Sequence, residues 1–395
     1  LSRTEATIGQ IEDVLAKTPG ITEVFNVNGF NILNGSNASN TGLVVAVLAD
    51  WHERPKSAKD FFSLLNTLRG QLNALPSANI FAFGLPAIQG LGTTGGFDFW
   101  LQDLGTHTPE ELAQTTQALL MAANQNPHLT AVFSSYNAQT PQLYVDIDID
   151  KAKTIKVNLN DIYQTLQAQL GSFYVNDFNY ASRVFQVIIQ AQAPYRSTIE
   201  ELSHLYVRSS DGNMVALNTL VQVKEILGPQ TISRYNLFRA AQINGEAAQG
   251  YSSGDAIDAM RTVASATLPQ GYSYAWSSLS YQEVANQAQG VFILLIAIVF
   301  AYLFLVANYE SFGLPLAVLL SIGIAMLGAV LGISIGPTDN NIYAQIGLVL
   351  LIALASKNAI LIVEYAHQLN KTGKDLVTSA LEAAHLRFRA VVMTA

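Results

Sequence analysis

The sequence predicts an α+β protein that continues into a bundle of membrane-spanning helices. Residues 1 to about 285 hold nearly all the acidic residues and alternate between helical and strand-like periodicity, as soluble domains do. The apolar excess begins after Gly290, where three segments are each long enough to cross a bilayer. One of these segments, around LVLLIALASKNAILIVEYA, carries Lys357 near its middle. A charge at that depth is costly, which predicts a functional site there.

Composition limits the classes of function that need to be considered. Of the 395 residues, 50% are hydrophobic and 13% are charged, which is apolar for a soluble protein. The net charge of −8 argues against a nucleic-acid partner. The absence of cysteine excludes disulfides but fits any compartment, the periplasm included. The chain starts at Leu1 with no signal peptide and stops in an apolar run, so we expect a piece of a longer protein.

The first 95 residues are predicted to form one subdomain. The order helix, strand, strand, helix, strand matches a split βαβ unit of the ferredoxin-like kind whose first strand lies before Leu1. The flexible stretch Asn31–Asn40, rich in Asn, Gly and Ser, is predicted to be a loop. The predicted elements are Thr4–Lys17, Thr22–Asn28, Gly42–Leu48, Ala58–Leu75 and Ile80–Phe83.

A second ferredoxin-like unit is predicted over residues 96–139 and 228–280. Its strands are Phe97–Leu101, Leu129–Ser134, Ala240–Asn244 and Ser273–Trp276, and its helices are Pro109–Asn124 and Ser253–Ala266. Residues 140–227 form an insertion long enough to be a small domain. Its predicted strands and helix are Leu143–Ile149, Val184–Gln190, Leu205–Val207, Met214–Leu217 and Asn160–Leu170.

Residues 281–395 are predicted to be the transmembrane region. The spans are 290–307, 314–335 and 342–366, and a fourth begins near 388. Asp375–Leu386 is amphipathic and is expected to lie along the membrane surface. Lysines and arginines gather after the third span, so this end is predicted to be cytoplasmic and the soluble part periplasmic, in a Gram-negative cell. These basic residues are Lys371, Lys374, Arg387 and Arg389.

Short motifs along the whole chain resemble the C-terminal half of a resistance-nodulation-division (RND) multidrug efflux pump, of the AcrB-type hydrophobe/amphiphile exporters. Nine such motifs occur in the right order, which is far more specific than any one of them. They are VNGF (27–30), DWHERP (50–55), FGLPAI (83–88), GFDF (96–99), TPQ (140–142), DIDIDKA (146–152), YVNDF (174–178), YES (309–311) and SKNAILIVE (356–364).

The resemblance implies proton-driven efflux of hydrophobic and amphiphilic compounds, with protons as the coupling ion, no other cofactor and no enzymatic activity. It implies an inner-membrane homotrimer that works with a periplasmic adaptor protein and an outer-membrane channel. The two ferredoxin-like units then resemble porter subdomains, and the insertion resembles the docking subdomain. The spans resemble helices eight to ten and the start of eleven.

The resemblance also assigns a proton relay. In the family, the lysine at the position of Lys357 pairs with two aspartates of the other half of the pump, while Thr394 and Arg387 match relay residues of helix eleven. The spans between Gly290 and Ala366 hold no mid-membrane Asp or Glu of their own. Judged from the residues alone, Thr394 suits helix packing better than a relay, and Arg387 suits the positive-inside pattern as well as it suits a relay. Ala390 replaces a proline that is frequent in the family.

The substrate-binding positions likewise come from the resemblance. Ile32 replaces a phenylalanine that is common there, and Phe81 and Phe83 also alternate as any buried strand face would. The implied binding residues are Phe25, Val27, Phe30, Ile32, Val45, Phe81, Phe83 and Leu85. The implied switch-loop residues are Asn28, Gly29, Asn31 and Gly35, and a second flexible loop is predicted at 92–96.

Two other kinds of function stay open at this point. One is an RND exporter of metal ions or lipids, although the five methionines do not cluster and the six histidines lack metal-ligand spacing. The other is a membrane-anchored periplasmic assembly protein that transports nothing, which would have no use for Lys357. No Walker A loop is present, so ATP is not expected to supply the energy directly.

Overall fold

The computed structural model describes residues 2–54, 61–86, 88–286, 290–335 and 342–394. The start of the predicted helix Ala58–Leu75, the end of DWHERP, one residue of FGLPAI and the connection 336–341 lie outside these residues. The chain divides into two compact units, residues 137–230 and the remainder. Both contain sheets and helices, so the mixed α/β class is confirmed, while the subdomain boundaries stay predictions.

The first part of the chain is a β-hairpin covered by two helices. These are α1 (Ser2–Ala16), β1 (Ile21–Asn31), β2 (Ser36–Leu48) and α2 (Phe61–Asn73). The strands are antiparallel, and the helices bury their leucine and isoleucine stripe against one face of the hairpin. The other face of the hairpin does not pack against the core formed by α1 and α2. The buried residues are Ile11, Leu15, Leu64, Leu68 and Leu72.

The predicted strand at Ile80–Phe83 is wrong, because this segment pairs with no strand and runs as irregular chain. Its alternation is real, since Ile80 and Ala82 pack against the first core. The backbone there is held by a side chain instead of a β-ladder: the Arg69 Nε donates to the Ala82 carbonyl at 2.9 Å. The alternation therefore arises because alternate side chains of this segment face the core, and not because the segment belongs to a sheet.

The second part begins with β3 (Phe97–Asp103), α3 (Pro109–Asn124) and β4 (Leu129–Phe133), close to their predicted bounds. Helix α3 starts where the sequence says it should. Thr108 and Glu111 form a capping box, and Pro109 occupies the first turn, where its missing N–H is not needed.

Residues 137–230 form a separate compact unit with its own core. Strand β5 pairs along its whole length with β10, and β6 pairs with β7 in a projecting hairpin. The sequence analysis missed β6 and β10, and helix α5 ends in a π-helical turn at Gln167–Gly171. The elements are β5 (Thr140–Ile147), α4 (Ile149–Thr154), α5 (Leu159–Leu166), β6 (Phe173–Tyr180), β7 (Arg183–Ile189), β8 (Tyr206–Arg208), β9 (Met214–Ala216) and β10 (Val221–Gly228).

The chain then returns to complete the second sheet. The returning elements are β11 (Arg234–Tyr235), β12 (Phe238–Ala247), α6 (Ser253–Thr267) and β13 (Tyr272–Trp276). Strand β12 pairs with β3, β4 and β11, and β3 also pairs with β13, all antiparallel. Helices α3 and α6 cover the sheet, with Phe99, Leu119 and Met260 fully buried between the layers. A sheet assembled from segments more than 100 residues apart depends on this core.

The C-terminal part is helical: α7 (Ser278–Asn286), α8 (Gly290–Tyr309), α9 (Leu314–Ile335), α10 (Ile342–Lys371) and α11 (Leu376–Thr394). Within the described segments, Leu314–Ile335 and Ile346–Lys371 are long and apolar enough to cross a membrane, and Leu295–Tyr309 is a shorter apolar helix.

The last described helix is continuous. The surface helix expected at Asp375–Leu386 and the start of the span expected from about 388 lie on one helix, α11, and where this helix enters a membrane stays a prediction. Neither Pro nor Gly occurs between Leu376 and Thr394, so no helix-breaking residue interrupts it.

Candidate functional site

Lys357 lies in the middle of α10, on a face that no other described helix covers. Its side chain is exposed, as are Leu354 and Leu350, one and two turns earlier on the same stripe. The opposite face is packed: Ile352 and Ser356 are buried, and the Ser356 hydroxyl donates to the Ile352 carbonyl at 2.7 Å. No ion pair to Lys357 occurs among the residues that the structure describes.

Arg387 connects α11 to α10. Its guanidinium carbon lies 4.7 Å from the centre of the Tyr365 ring. A connection of four residues, 372–375, joins the two helices, and this contact packs α11 against α10. Lys357 lies about 12 Å along α10 from Tyr365, and Thr394 lies about 10 Å along α11 from Arg387.

A second polar side chain next to Lys357 escaped the sequence analysis. The Asn358 side-chain oxygen is buried and has no hydrogen-bond partner in the described part of the chain. A buried amide oxygen without a hydrogen-bond partner costs about 1–3 kcal/mol. An apolar side chain at position 358 would pack without this cost, so the asparagine is not explained by helix packing alone. The signal was available as the polar triplet Ser356–Lys357–Asn358 inside an apolar run.

The first group of predicted binding residues lies on the outer face of the hairpin. Phe25 stands opposite Val45 in the register of β1 and β2, and Val27 follows on the same face. Phe25 is 61% exposed and Val45 is 40% exposed. These residues form an open apolar surface on the side of the hairpin that faces away from the α1–α2 core.

The predicted ten-residue loop at 31–40 is wrong. Asn28, Gly29 and Asn31 belong to β1, and only residues 32–35 form the turn. The Asn-rich composition builds a tight turn: Asn31 Oδ1 accepts from the Leu33 N–H at 3.0 Å, and Gly35 takes φ +65°. Phe30 stands opposite Asn37, next to an irregularity in the register at Gly29. Ile32 lies in the turn itself, and the switch-loop role stays a prediction.

The second group lies on the irregular segment after α2. Phe81 and Phe83 both stack on Phe133 of β4, with ring centres 4.6 and 5.8 Å away. Leu85 is 75% exposed beside them. Phe133 was not predicted, because in the sequence it is one more apolar residue of a strand. The stacking joins the first part of the fold to the second.

The predicted flexible loop at 92–96 is anchored to both parts. The Gly95 N–H donates to the Gly84 carbonyl at 2.8 Å, and the buried Thr94 hydroxyl donates to Asn244 Oδ1 at 3.0 Å. Gly96 has φ +85°, and a Cβ there would lie 2.1 Å from the Gly245 carbonyl oxygen. Glycine is therefore needed for close approach of two backbones.

A polar cavity of about 450 Å³ lies between the hairpin turn and the second sheet. The Asp98 carboxylate accepts from Gln242 Nε2 at 3.0 Å and from the Ser278 hydroxyl at 2.8 Å. Trp100 stacks on Tyr235 with ring centres 5.0 Å apart. Burial and the nearby Asp98 raise the pKa of Tyr235 above its usual value. Leu33 and Asn34 of the turn complete the lining.

In the described ranges no group of three or more His, Asp or Glu side chains is placed to hold a metal ion. The described residues offer two aromatic surfaces, a polar cavity and a lysine midway along an apolar helix.

Comparison with known proteins gives a family match over the whole chain. A family model described as the AcrB/AcrD/AcrF family matches residues 1–395. The chain is 36% identical over 396 residues to the multidrug export protein AcrF of Escherichia coli, covering 99% of this chain and 38% of AcrF. It is 35% identical over 394 residues to the toluene efflux pump membrane transporter TtgB of Pseudomonas putida, covering 99% of this chain and 37% of TtgB.

The multidrug resistance protein MdtF of Escherichia coli is 36% identical over 376 residues, which is 95% of this chain and 36% of MdtF. The chain thus spans little more than a third of the length of the curated relatives it matches.

Proposed function

Because the chain belongs to the AcrB/AcrD/AcrF family of RND efflux transporters, we propose that it is the C-terminal half of a pump that exports hydrophobic and amphiphilic compounds against an inward flow of protons. The relatives carry names that describe multidrug, solvent and toluene efflux. A transporter, rather than an enzyme, is what such relatives imply.

The observation that carries the proposal is the position of Lys357. It lies mid-way along a helix apolar enough to cross a membrane, on the face that the other described helices leave uncovered. A lysine facing lipid at that depth would cost several kcal/mol. The face is therefore expected to be covered by another helix that brings a carboxylate, supplied from the part of the protein beyond this chain.

A lysine paired with carboxylates in this way couples proton movement to a change in the arrangement of the helices. While the carboxylates are ionised they hold the lysine, and when a proton neutralises one of them the lysine loses its partner. Thr394 and Arg387 are proposed as the other relay residues, because both lie on α11, and Arg387 holds this helix against Tyr365 of the helix that carries Lys357. Inward movement of one proton supplies about 2.3 kcal/mol per 100 mV, which biases two helix arrangements.

Substrates are proposed to bind to the two aromatic groups. Phe25, Val27, Val45, Phe30 and Ile32 supply the hairpin side, and Phe81, Phe83 and Leu85 supply the other. Open aromatic surfaces with few polar groups accept many apolar molecules and distinguish them poorly. Asn28, Gly29, Asn31 and Gly35 are proposed to move with the hairpin turn.

The architecture is proposed to be that of a periplasmic porter above an inner-membrane bundle. The sheet order β13, β3, β12, β4, with helices after β3 and β12, is consistent with a ferredoxin-like unit interrupted by an insertion. Residues 137–230 are proposed to dock and to support a homotrimer. An adaptor protein and an outer-membrane channel would complete the path.

The test is dye efflux from energised cells that carry the full-length pump. Lys357→Met is expected to give a well-expressed, inserted pump that binds substrate and does not export it. Lys371→Met is the matched control, because Lys371 is exposed in the last turn of the same helix and is expected to tolerate the change. Normal efflux by a well-expressed Lys357→Met pump would refute the proton-coupling role.

A further inference from the structure

We propose that Arg69 and Glu246 form a positioning pair that holds Phe81 and Phe83 against Phe133, and so decides which compounds bind to these rings. The inference rests on the proposed function, since it concerns the same aromatic surface. Neither residue touches substrate in this scheme; both act through the phenylalanines.

Arg69 is the junction of three elements. Its Nε donates to the Ala82 carbonyl at 2.9 Å, and one terminal nitrogen lies 3.0 Å from Glu246 Oε1. The other terminal nitrogen is 3.4 Å from Asn66 Oδ1 on α2. A rigid planar guanidinium thus fixes α2, the irregular segment and β12 relative to one another. Lysine, with a single point charge, cannot make this set of contacts.

The irregular segment needs this support, because no β-ladder holds it. Ala82 lies between Phe81 and Phe83, so the bond from Arg69 to its carbonyl fixes the backbone that carries both rings. Ile80 and Ala82 face the first core, which leaves the two rings facing Phe133. The backbone beside the two rings is therefore held by the hydrogen bond from Arg69 and by the bond from the Gly95 N–H to the Gly84 carbonyl, and the rings are held by their stacks on Phe133.

Glu246 depends on Arg69 in turn. It stands on β12 opposite Thr130 of β4, the same strand that carries Phe133. The two side chains are only 15% and 12% exposed, and Glu246 Oε2 is buried without a partner among the described residues. A Cβ on Gly96 would lie 2.9 Å from the Glu246 Cγ, so the stem is closely packed as well. Without Arg69 this carboxylate would be a nearly buried, uncompensated charge.

The pair and the stacks must therefore open together. Separating β4 from the Phe81–Phe83 segment breaks both stacks, and it also breaks the ion pair that ties the segment to β12. Once β4 and the segment are separated, Glu246 can reach water and the three rings are free to contact a ligand. In the structure the rings are stacked on one another, so their stacked faces are not available to a ligand.

The efflux experiment uses the full-length pump in a strain without other pumps. The variants are Arg69→Gln, Glu246→Gln and the double variant, compared with Phe83→Ala over a panel of dyes and detergents. Arg261→Gln is the control, because it removes an ion pair of equal length, 3.0 Å, that is exposed on α6. The single variants are expected to change export of the compounds that Phe83→Ala changes, by about fivefold, the factor that one stacked aromatic pair contributes.

The double variant is expected to be no worse than the more damaging single variant, since the two residues act as one unit. Additive effects, or a substrate profile identical to that of Arg261→Gln, would overturn the positioning role.

A distance measurement separates this inference from the proposed function. This chain contains no cysteine, so Thr67→Cys on α2 and Gln249→Cys after β12 provide paired spin-label sites once any cysteines elsewhere in the pump are replaced. The parent is expected to give one short distance, and Arg69→Gln is expected to add a longer population. Unchanged distances would overturn the inference even if efflux changed. If Phe81→Ala and Phe83→Ala both left efflux unchanged, the proposal that these rings bind substrate would fail. The spin-label distances would then be the remaining test of whether Arg69 and Glu246 position the segment.

Discussion

The guanidinium of Arg387 lies over the ring of Tyr365, 4.7 Å from its centre, and this contact links α11 to α10. It lies about two turns from the level of Lys357. A cation held over an aromatic face contributes about 0.5–1 kcal/mol at exposed sites. The contact therefore supports the packing of α11, which carries Thr394, against the helix that carries Lys357.

We expect Tyr365→Leu to loosen α11, because leucine keeps the apolar volume and removes the π-face. Loss of about 1 kcal/mol corresponds to roughly fivefold faster local opening. Hydrogen exchange of the α11 amides in the full-length pump measures this. Tyr365→Phe keeps the ring and is expected to exchange like the parent, and equal exchange in the leucine and phenylalanine variants would contradict the prediction.

We expect Phe25→Ala and Phe30→Ala to change the range of exported compounds without abolishing transport. Phe25 is expected to contribute stacking and apolar contact of about 1 kcal/mol to some ligands, while energy coupling is proposed to depend on Lys357. Resistance profiles in a strain without other pumps provide the measurement. Phe62→Ala is a suitable control, since Phe62 is 57% exposed on α2 and belongs to neither aromatic group. An unchanged profile for Phe25→Ala would remove Phe25 from the binding surface.

We expect the intact protein to be a trimer to which the insertion contributes contacts. The β6–β7 hairpin leaves large apolar residues exposed, Phe178 and Ile188 among them, and isolated hairpins are marginally stable in water. Native mass spectrometry of the full-length pump is expected to show a trimer that Ile188→Asp weakens. Tyr195→Ser, at a residue 60% exposed outside the hairpin, serves as control. A stable monomer of the unmodified pump at working concentration would contradict this prediction.

We expect Glu283→Gln to stabilise the protein at neutral pH. Burial raises the pKa of the Glu283 carboxyl, while a hydrogen bond from the Ser253 hydroxyl at 2.8 Å lowers it in part. The folded state therefore binds a proton more readily than the unfolded state, whose pKa is near 4.5. Ionisation above the raised pKa costs stability, and the cost disappears as the pH falls toward 4.5.

Glutamine keeps a hydrogen-bond acceptor for Ser253 and has no charge to desolvate. Thermal unfolding of the full-length pump in detergent is expected to show a gain from Glu283→Gln at a pH of about 7.5 that shrinks as the pH approaches 4.5. A gain of the same size at both pH values would mean that the change acts through packing instead.

Local sequence determined most of the elements, because capping and periodicity act over a few residues. Helix α3 occurs at Pro109–Asn124 as predicted, since four adjacent residues, Thr108 to Glu111, contain both its capping box and its N-terminal proline. Helix α9 occurs at Leu314–Ile335 as predicted, since its 22 residues are uncharged and mostly apolar, with a proline in the first turn. The energetic cost of Lys357 in an apolar helix was readable for the same reason, because that cost depends on the residues around it in sequence. The role of this lysine stays a prediction.

The tertiary structure decided what depended on distant partners. The segment Ile80–Phe83 has the alternation of a strand, yet Arg69 and Phe133 hold it where no neighbouring strand is available. The Asn-rich loop became a tight turn, since paired strands extended from both sides to residues 31 and 36. The Arg69–Glu246 pair joins residues 177 apart, and neither residue differs in the sequence from an ordinary surface charge. Periodicity describes which sides of a segment are buried, and only the folded chain decides what buries them.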